Sequence, residues 1–167
     1  MYTQTQQVQR IQSIQNTLRA SIYHGKKRVE SISGSRVCFR RLSYGEREKT
    51  LEDCAGWENY ESGRLWGGSD QHFAFRAQFE IPKEYEAKEV VLQVSTGATD
   101  IWNTDNPQFI IYINGRECCA MDMNHNEVTL TENAIPGMCF DIGIYAYSNT
   151  SAQTNFLYLD MAVQMTW

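Results

Sequence analysis

The chain has 167 residues, 42% of them hydrophobic and 12% aromatic, with 4 Trp, which is enough apolar mass for one good core and favours a single domain. With 15 Lys and Arg against 20 Asp and Glu the net charge is −5 and the pI near 5.2, so the broad basic footprint that a phosphate backbone requires is absent and nucleic acid is excluded as a partner class. No run of about 18 apolar residues occurs. The N-terminus is Gln-rich where a signal peptide needs an apolar stretch, so the reading is a cytoplasmic protein with no membrane partner.

Val8, Ile11, Ile14, Leu18 and Ile22 recur three or four apart, which predicts an amphipathic helix over 4–22 ending near His24-Gly25. A helix of this length is marginal alone in water, so its stripe needs cover from the domain, a second chain or a longer parent. Lys26-Lys27-Arg28 reads as a solvated helix end complementing the dipole. Val37–Leu42 is a candidate first strand, in which Arg40-Arg41 points to an edge or a packed surface. Gly45–Glu61 is charged and irregular, a long surface connection anchored by Trp57 and Tyr60.

Phe73, Phe75, Ala77, Phe79 and Ile81 alternate with Ala74, Arg76, Gln78 and Glu80, the period of a half-buried strand, closed by Pro82. Val90–Val94, Met138–Tyr147 and Phe156–Met165 predict further strands. Phe109–Ile113, then Asn114-Gly115, then Arg116–Ala120 is a hairpin. Beyond it Asp122–Glu127 turns polar before Val128-Thr129-Leu130 resumes an apolar alternation. Strands separated by Gly, Asn and Pro turns behind one helix predict an antiparallel β-sandwich. The division is 1–34 for the helix and its connection and 35–167 for the sandwich.

Five Cys, at 38, 54, 118, 119 and 139, form an odd set without a CxxC spacing, as free thiols in a reducing compartment do. On a strand, Cys118 and Cys119 point to opposite faces. His24, His72 and His125 lie in no zinc-binding frame, so no metal site is expected within the chain. Asp122 and Glu127 flank His125; with Asn124 they either hydrogen-bond a loop or an adjoining domain, or contact a ligand directly. A glycosidase would need such a carboxylate pair with separated pKa values, which nothing in the sequence supplies. Asp100, Asn103, Asp105 and Asn106 are hard oxygen ligands of the kind calcium uses, though without EF-hand spacing, and Asx turns account for them equally. Trp102 beside them is either a sugar platform or a core or interface anchor. Trp66-Gly67-Gly68-Ser69-Asp70-Gln71-His72 is a tight turn that presents Ser69, Asp70 and His72.

The stretches 57–82, with its WGGSDQHFAFRAQFEIP run, 107–117 (PQFIIYINGRE) and 120–130 (AMDMNHNEVTL) resemble the N-terminal domain of glycoside hydrolase family 38 α-mannosidases of the cytosolic and bacterial branch. The helix and the strand around Tyr145 and Tyr147 fit the same pattern. The resemblance implies a mainly β fold, a galactose-binding-domain-like jelly-roll sandwich with an N-terminal amphipathic α-helix, ahead of a larger catalytic domain. It implies zinc and the carboxylate nucleophile of a retaining α-mannosidase in that absent domain, whose HxHxD motif does not occur here. Trp66, Gly67, Gly68, Asp70 and His72 with Asp122, Asn124, His125 and Glu127 would then face the catalytic domain and the rim of its sugar site. The expectation is a non-catalytic accessory domain whose partners are that catalytic domain and α-mannosides. An open docking patch would also drive homo-oligomers. The rival expectations are an independent carbohydrate-binding module and a free-standing glycosidase using Asp122 and Glu127.

Overall fold

The computed structural model describes residues 4–23, 26–31, 36–61, 64–96, 107–122, 124–149 and 158–164. Helix α1 (Gln4–Tyr23) is followed by ten strands: β1 (Lys26–Ser31), β2 (Val37–Leu42), β3 (Glu58–Tyr60), β4 (Gln71–Glu80), β5 (Glu89–Ser95), β6 (Gln108–Ile113), β7 (Arg116–Met121), β8 (Glu127–Thr131), β9 (Cys139–Ser148) and β10 (Tyr158–Gln164). They form two antiparallel sheets, one ordered β1-β10-β5-β8 and the other β3-β2-β4-β9-β6-β7. The mainly β sandwich with one N-terminal helix is thus the observed architecture.

The core follows from alternation. Strand β4 turns Phe73, Phe75, Ala77 and Phe79 inward, and its neighbour β9 answers with Ala146, Ile144, Ile142 and Phe140 at the paired positions. Val90, Leu92 and Val94 of β5 meet them from the opposite sheet. Phe75, Leu92, Ile111 and Ile142 are fully buried. Each such side chain removed from water contributes about 1.5–3 kcal/mol, and this burial is the main force holding the sheets together.

The outer face of the six-stranded sheet is less solvated than a half-buried strand predicts. Ala74 is fully buried there with Cys38, Leu42 and Trp57, because the segment between β2 and β3 folds back over the sheet. That segment is therefore a packed cover, with a 3₁₀ turn at Arg47–Leu51. The Arg40 guanidinium lies 4.5 Å over the Trp57 ring and donates to the Lys49 carbonyl and to Glu52. Of the two readings of Arg40-Arg41, the packed surface is the observed one at Arg40, and short β3 shields β2 from the sheet edge.

Two further differences have simple causes. Lys26-Lys27-Arg28 is the start of β1, paired with β10, and not a helix end. An edge strand exposes one flank to water and tolerates charge, so its apolar signal is faint. On α1, Val8, Ile11 and Ile14 are half exposed, so this part of the predicted stripe is uncovered in the monomer. Among the described residues no helix is long and apolar enough to cross a membrane.

Candidate functional site

The Asn-Gly hairpin forms as its sequence requires. Asn114 and Gly115 both take positive φ, 51° and 77°, the two-residue turn that matches strand twist. Asn114 is also clasped to β9: its N–H donates to the Asp141 carbonyl at 2.8 Å, and its side-chain oxygen accepts the Asp141 N–H at 2.9 Å. This places β6 and β7 beside β9, so Tyr112 pairs with Gly143 and Ile110 with Tyr145. Since Ile144 and Ala146 turn inward, Tyr145 and Tyr147 turn to the outer face.

The chain then leaves this sheet after β7 and enters the other at β8, and the polar loop is the crossover. Asp122 organises it. Its Oδ1 accepts the N–H groups of Asn124 at 2.7 Å and His125 at 2.8 Å, and lies 3.2 Å from His125 Nδ1. These bonds, the His125 N–H first, hold the Asp122 carboxyl below the usual carboxylate range. All three fall on one oxygen. The His125 side chain is 83% exposed. Asn124 is exposed, and Glu127 at the start of β8 accepts from Gln93 at 3.1 Å. Asp122 hydrogen-bonds the backbone of its own loop. Asp122 thus accepts from its own loop, while Glu127 accepts from Gln93 on β5.

The Trp-Gly-Gly turn anchors the other loop. Gly67 and Gly68 have φ of 101° and 139°, backbone conformations that L side chains rarely adopt, which is what glycine supplies here. The Gly68 N–H donates to Ser148 Oγ and the Asp70 N–H to the Asn149 carbonyl, tacking the turn to the end of β9. Trp66 is 4% exposed and packs edge-on against Phe73 and Phe75, so it is a core anchor closed to any ligand. Asp70 and His72 do reach the outer face. The Tyr147 hydroxyl donates to Asp70 at 3.1 Å, and the Tyr145 hydroxyl shares a 2.6 Å hydrogen bond with His72 Nδ1. The His72 ring stacks on Tyr147 at 5.0 Å and Tyr145 at 5.8 Å, and Tyr44, 90% exposed, meets His72 edge-on.

The two predicted loops therefore border one aromatic surface, with Tyr147 between them. On the hairpin side of Tyr147 a hollow of about 480 Å³ is lined by Ile110, Ala120, Tyr145, Tyr147, Asp122 and His125, among others. On the Asp70 side a second, of about 440 Å³, lies among Ser43, Tyr44, Asp70 and His72. Sequence reasoning placed Asp70, His72, Asp122 and His125 near a site but missed Tyr44, Tyr145 and Tyr147. The signal was present: Tyr-x-Tyr alternating with buried Ile144 and Ala146 marks two aromatics on the face opposite the core. Trp102 and the acidic run at 100–106, with its calcium reading, lie outside the described residues. Among the described residues no group of three or more His, Cys, Asp or Glu is placed to hold a metal ion.

No family model matches the sequence, and no curated protein is similar to it. Solved structures share the fold. A glycosyl hydrolase family 2 member from Bacteroides cellulosilyticus superposes on 84% of this chain and 21% of its own, with 14% identity and a TM-score of 0.57. A β-glucuronidase from Ruminococcus gnavus, in complex with D-glucuronic acid, covers 83% of this chain and 30% of its own at 11% identity and TM-score 0.56. Another family 2 β-glucuronidase matches 77% and 17%, with 14% identity and TM-score 0.52. This chain thus spans less than a third of the length of these enzymes, and the likeness is one of fold. It corrects the resemblance drawn from sequence: the neighbours belong to glycoside hydrolase family 2, not to the family 38 α-mannosidases. The stretches that carried that resemblance are a strand, a hairpin and two turns of the sandwich itself, and such features follow the fold rather than one enzyme family. The zinc implied for a mannosidase catalytic domain rested on that resemblance alone.

Proposed function

We propose that this chain is a non-catalytic β-sandwich domain of a glycoside hydrolase, supporting a catalytic region and presenting the Tyr147 face beside it. The observation that carries the reading is the match in fold: most of this chain superposes on 17 to 30% of chains that are themselves glycoside hydrolases. The tie of Asp122 Oδ1 to its own loop supports it, since that bond shapes the rim. In this role the 66–72 turn and the 122–127 loop are a docking rim, and the catalytic region is the partner.

The test uses the native protein. An antibody against this chain, applied to an extract of the source cells, is expected to detect a species well above 19.3 kDa and to bring down glycosidase activity. A 19.3 kDa species with no associated glycosidase would overturn the proposal. The second reading, an independent carbohydrate-binding module, is favoured by one observation, the exposed ring of Tyr44 beside Asp70 and His72. That module would be found alone and would bind sugar without the catalytic region.

A further inference from the structure

The hollow on the hairpin side of Tyr147 has the chemistry of a small-ligand site. Its lining is mostly apolar and aromatic, from Ile110, Ala120, Tyr145 and Tyr147, with polar groups supplied by Gln108, Asp122 and His125. Its volume, about 480 Å³, falls within the range of pockets that hold small molecules. The aromatic lining is held rigid: Tyr145 is tied to His72, Tyr147 is tied to Asp70, and the two Tyr rings flank the His72 ring. The polar lining is held as well, because the same Asp122 oxygen that orders the loop leaves the second carboxylate oxygen to accept from a ligand. Aromatic side chains and a carboxylate acceptor in one hollow are what a pyranose uses, its C–H groups against the aromatics and its hydroxyls donating.

The charge of the hollow selects among sugars. Among the described residues no Lys or Arg lines it and its charged acceptor is Asp122, while Asp70 stands on the far side of Tyr147. The one cationic candidate, His125, already faces Asp122. We infer that the Tyr147 hollow is a binding site for a neutral hexopyranoside and disfavours uronic acids. This deepens the carbohydrate side of the proposed function and rests on it. It also sets the chain apart from the glucuronate-directed chemistry of the enzymes that share its fold.

The experiment is amide-detected NMR titration of the 167-residue chain with methyl α-D-mannopyranoside, methyl β-D-glucopyranoside and glucuronate. Saturable shifts at Ile110, Ala120, His125 and Tyr147 are expected with at least one neutral glycoside, at the millimolar affinity usual for one sugar ring. Glucuronate is expected to bind about fivefold more weakly or worse, the ratio that one close like-charge pair gives in water. Ala120→Arg, at an exposed position that removes no core contact, is expected to abolish the shifts, and Asp122→Asn, which still makes the loop turn, to narrow the neutral-to-uronate ratio. Equal or tighter binding of glucuronate would overturn the selectivity. No shifts at up to about 100 mM sugar, a hundredfold above a millimolar constant, or shifts confined elsewhere, would overturn the site. The size and copurifying activity of the native species judge the accessory-domain reading separately, so either can fail without the other.

Discussion

Arg76 is the clasp between the six-stranded sheet and the cover that lies on its outer face. From β4 its guanidinium reaches Asp141 on β9, donating from Nε to Oδ1 at 3.2 Å and from Nη2 to Oδ2. Its Nη1 donates to the Glu52 carbonyl at 2.8 Å and to that of Thr50 at 3.4 Å. The Arg76 side chain is 12% exposed and that of Asp141 31%. Breaking a fully buried ion pair costs about 3–5 kcal/mol, and partial access of water to Asp141 brings this to about 2 kcal/mol for Asp141→Asn, which retains an acceptor. Arg76→Met loses the pair and the carbonyl bonds but keeps the stem packed, so its cost is about 3 kcal/mol. For a chain of this length that corresponds to a fall in Tm of about 6–12 °C. The assay is urea unfolding followed by Trp fluorescence on both single variants and the double variant, which is expected to cost at least about 1 kcal/mol less than the sum of the singles. Additivity within about 0.5 kcal/mol would refute the clasp, since it would mean that the two side chains do not share an interaction.

Other perturbations address separate links. Thr50 is fully buried with its hydroxyl unpartnered, so Thr50→Val is expected to leave stability unchanged or raise it by up to about 1 kcal/mol in the same unfolding assay; a loss above about 1 kcal/mol would count against it. Burial first, then the neighbouring thiol, pushes the Cys54 thiol up to about 11, and burial does the same to Cys119, also to about 11. At pH 8 each is then only about one-thousandth thiolate, so iodoacetamide is expected to label exposed Cys118 and Cys139 first, read by peptide mass spectrometry. The folded pKa of Asp122 is depressed, so its contribution is present above the ordinary carboxylate value near 4 and is lost as pH falls through the lower folded value. With its side chain 47% exposed, that contribution stays under about 1 kcal/mol. The amide shift of Asn124, which Asp122 accepts, should hold between pH 7 and about 4.5 and move only in acid; its movement throughout that range would contradict the assignment. Removal of residues 1–25 should change unfolding stability by less than about 1 kcal/mol, because Val8, Ile11 and Ile14, the described apolar groups of α1, stay about half exposed.

The sequence by itself determined the local elements wherever one physical signal dominated. Phe73 to Ile81 could only alternate as a strand with a buried face, Asn114-Gly115 could only close a tight hairpin, and the spacing of Val8, Ile11 and Ile14 could only be helical. Those signals arise within a few residues, from pleat, turn dihedrals and helical period, so they are legible before folding. Edge strand β1 was not, because its stability comes from pairing with β10, more than a hundred positions away in the chain. Nor was the fate of the two predicted loops. Trp66 and Asp70 are only four residues apart, yet packing sends one into the core against Phe75 and leaves the other at the surface under Tyr147. The candidate site depended most on tertiary structure: His72 meets Tyr145 and Tyr147 only because β4 and β9 are neighbours in one sheet. Asp122 borders the same face only because the hairpin is docked on β9. Alternation tells which residues share a face of one strand; which strands lie side by side is decided by long-range burial, and the site is built across them.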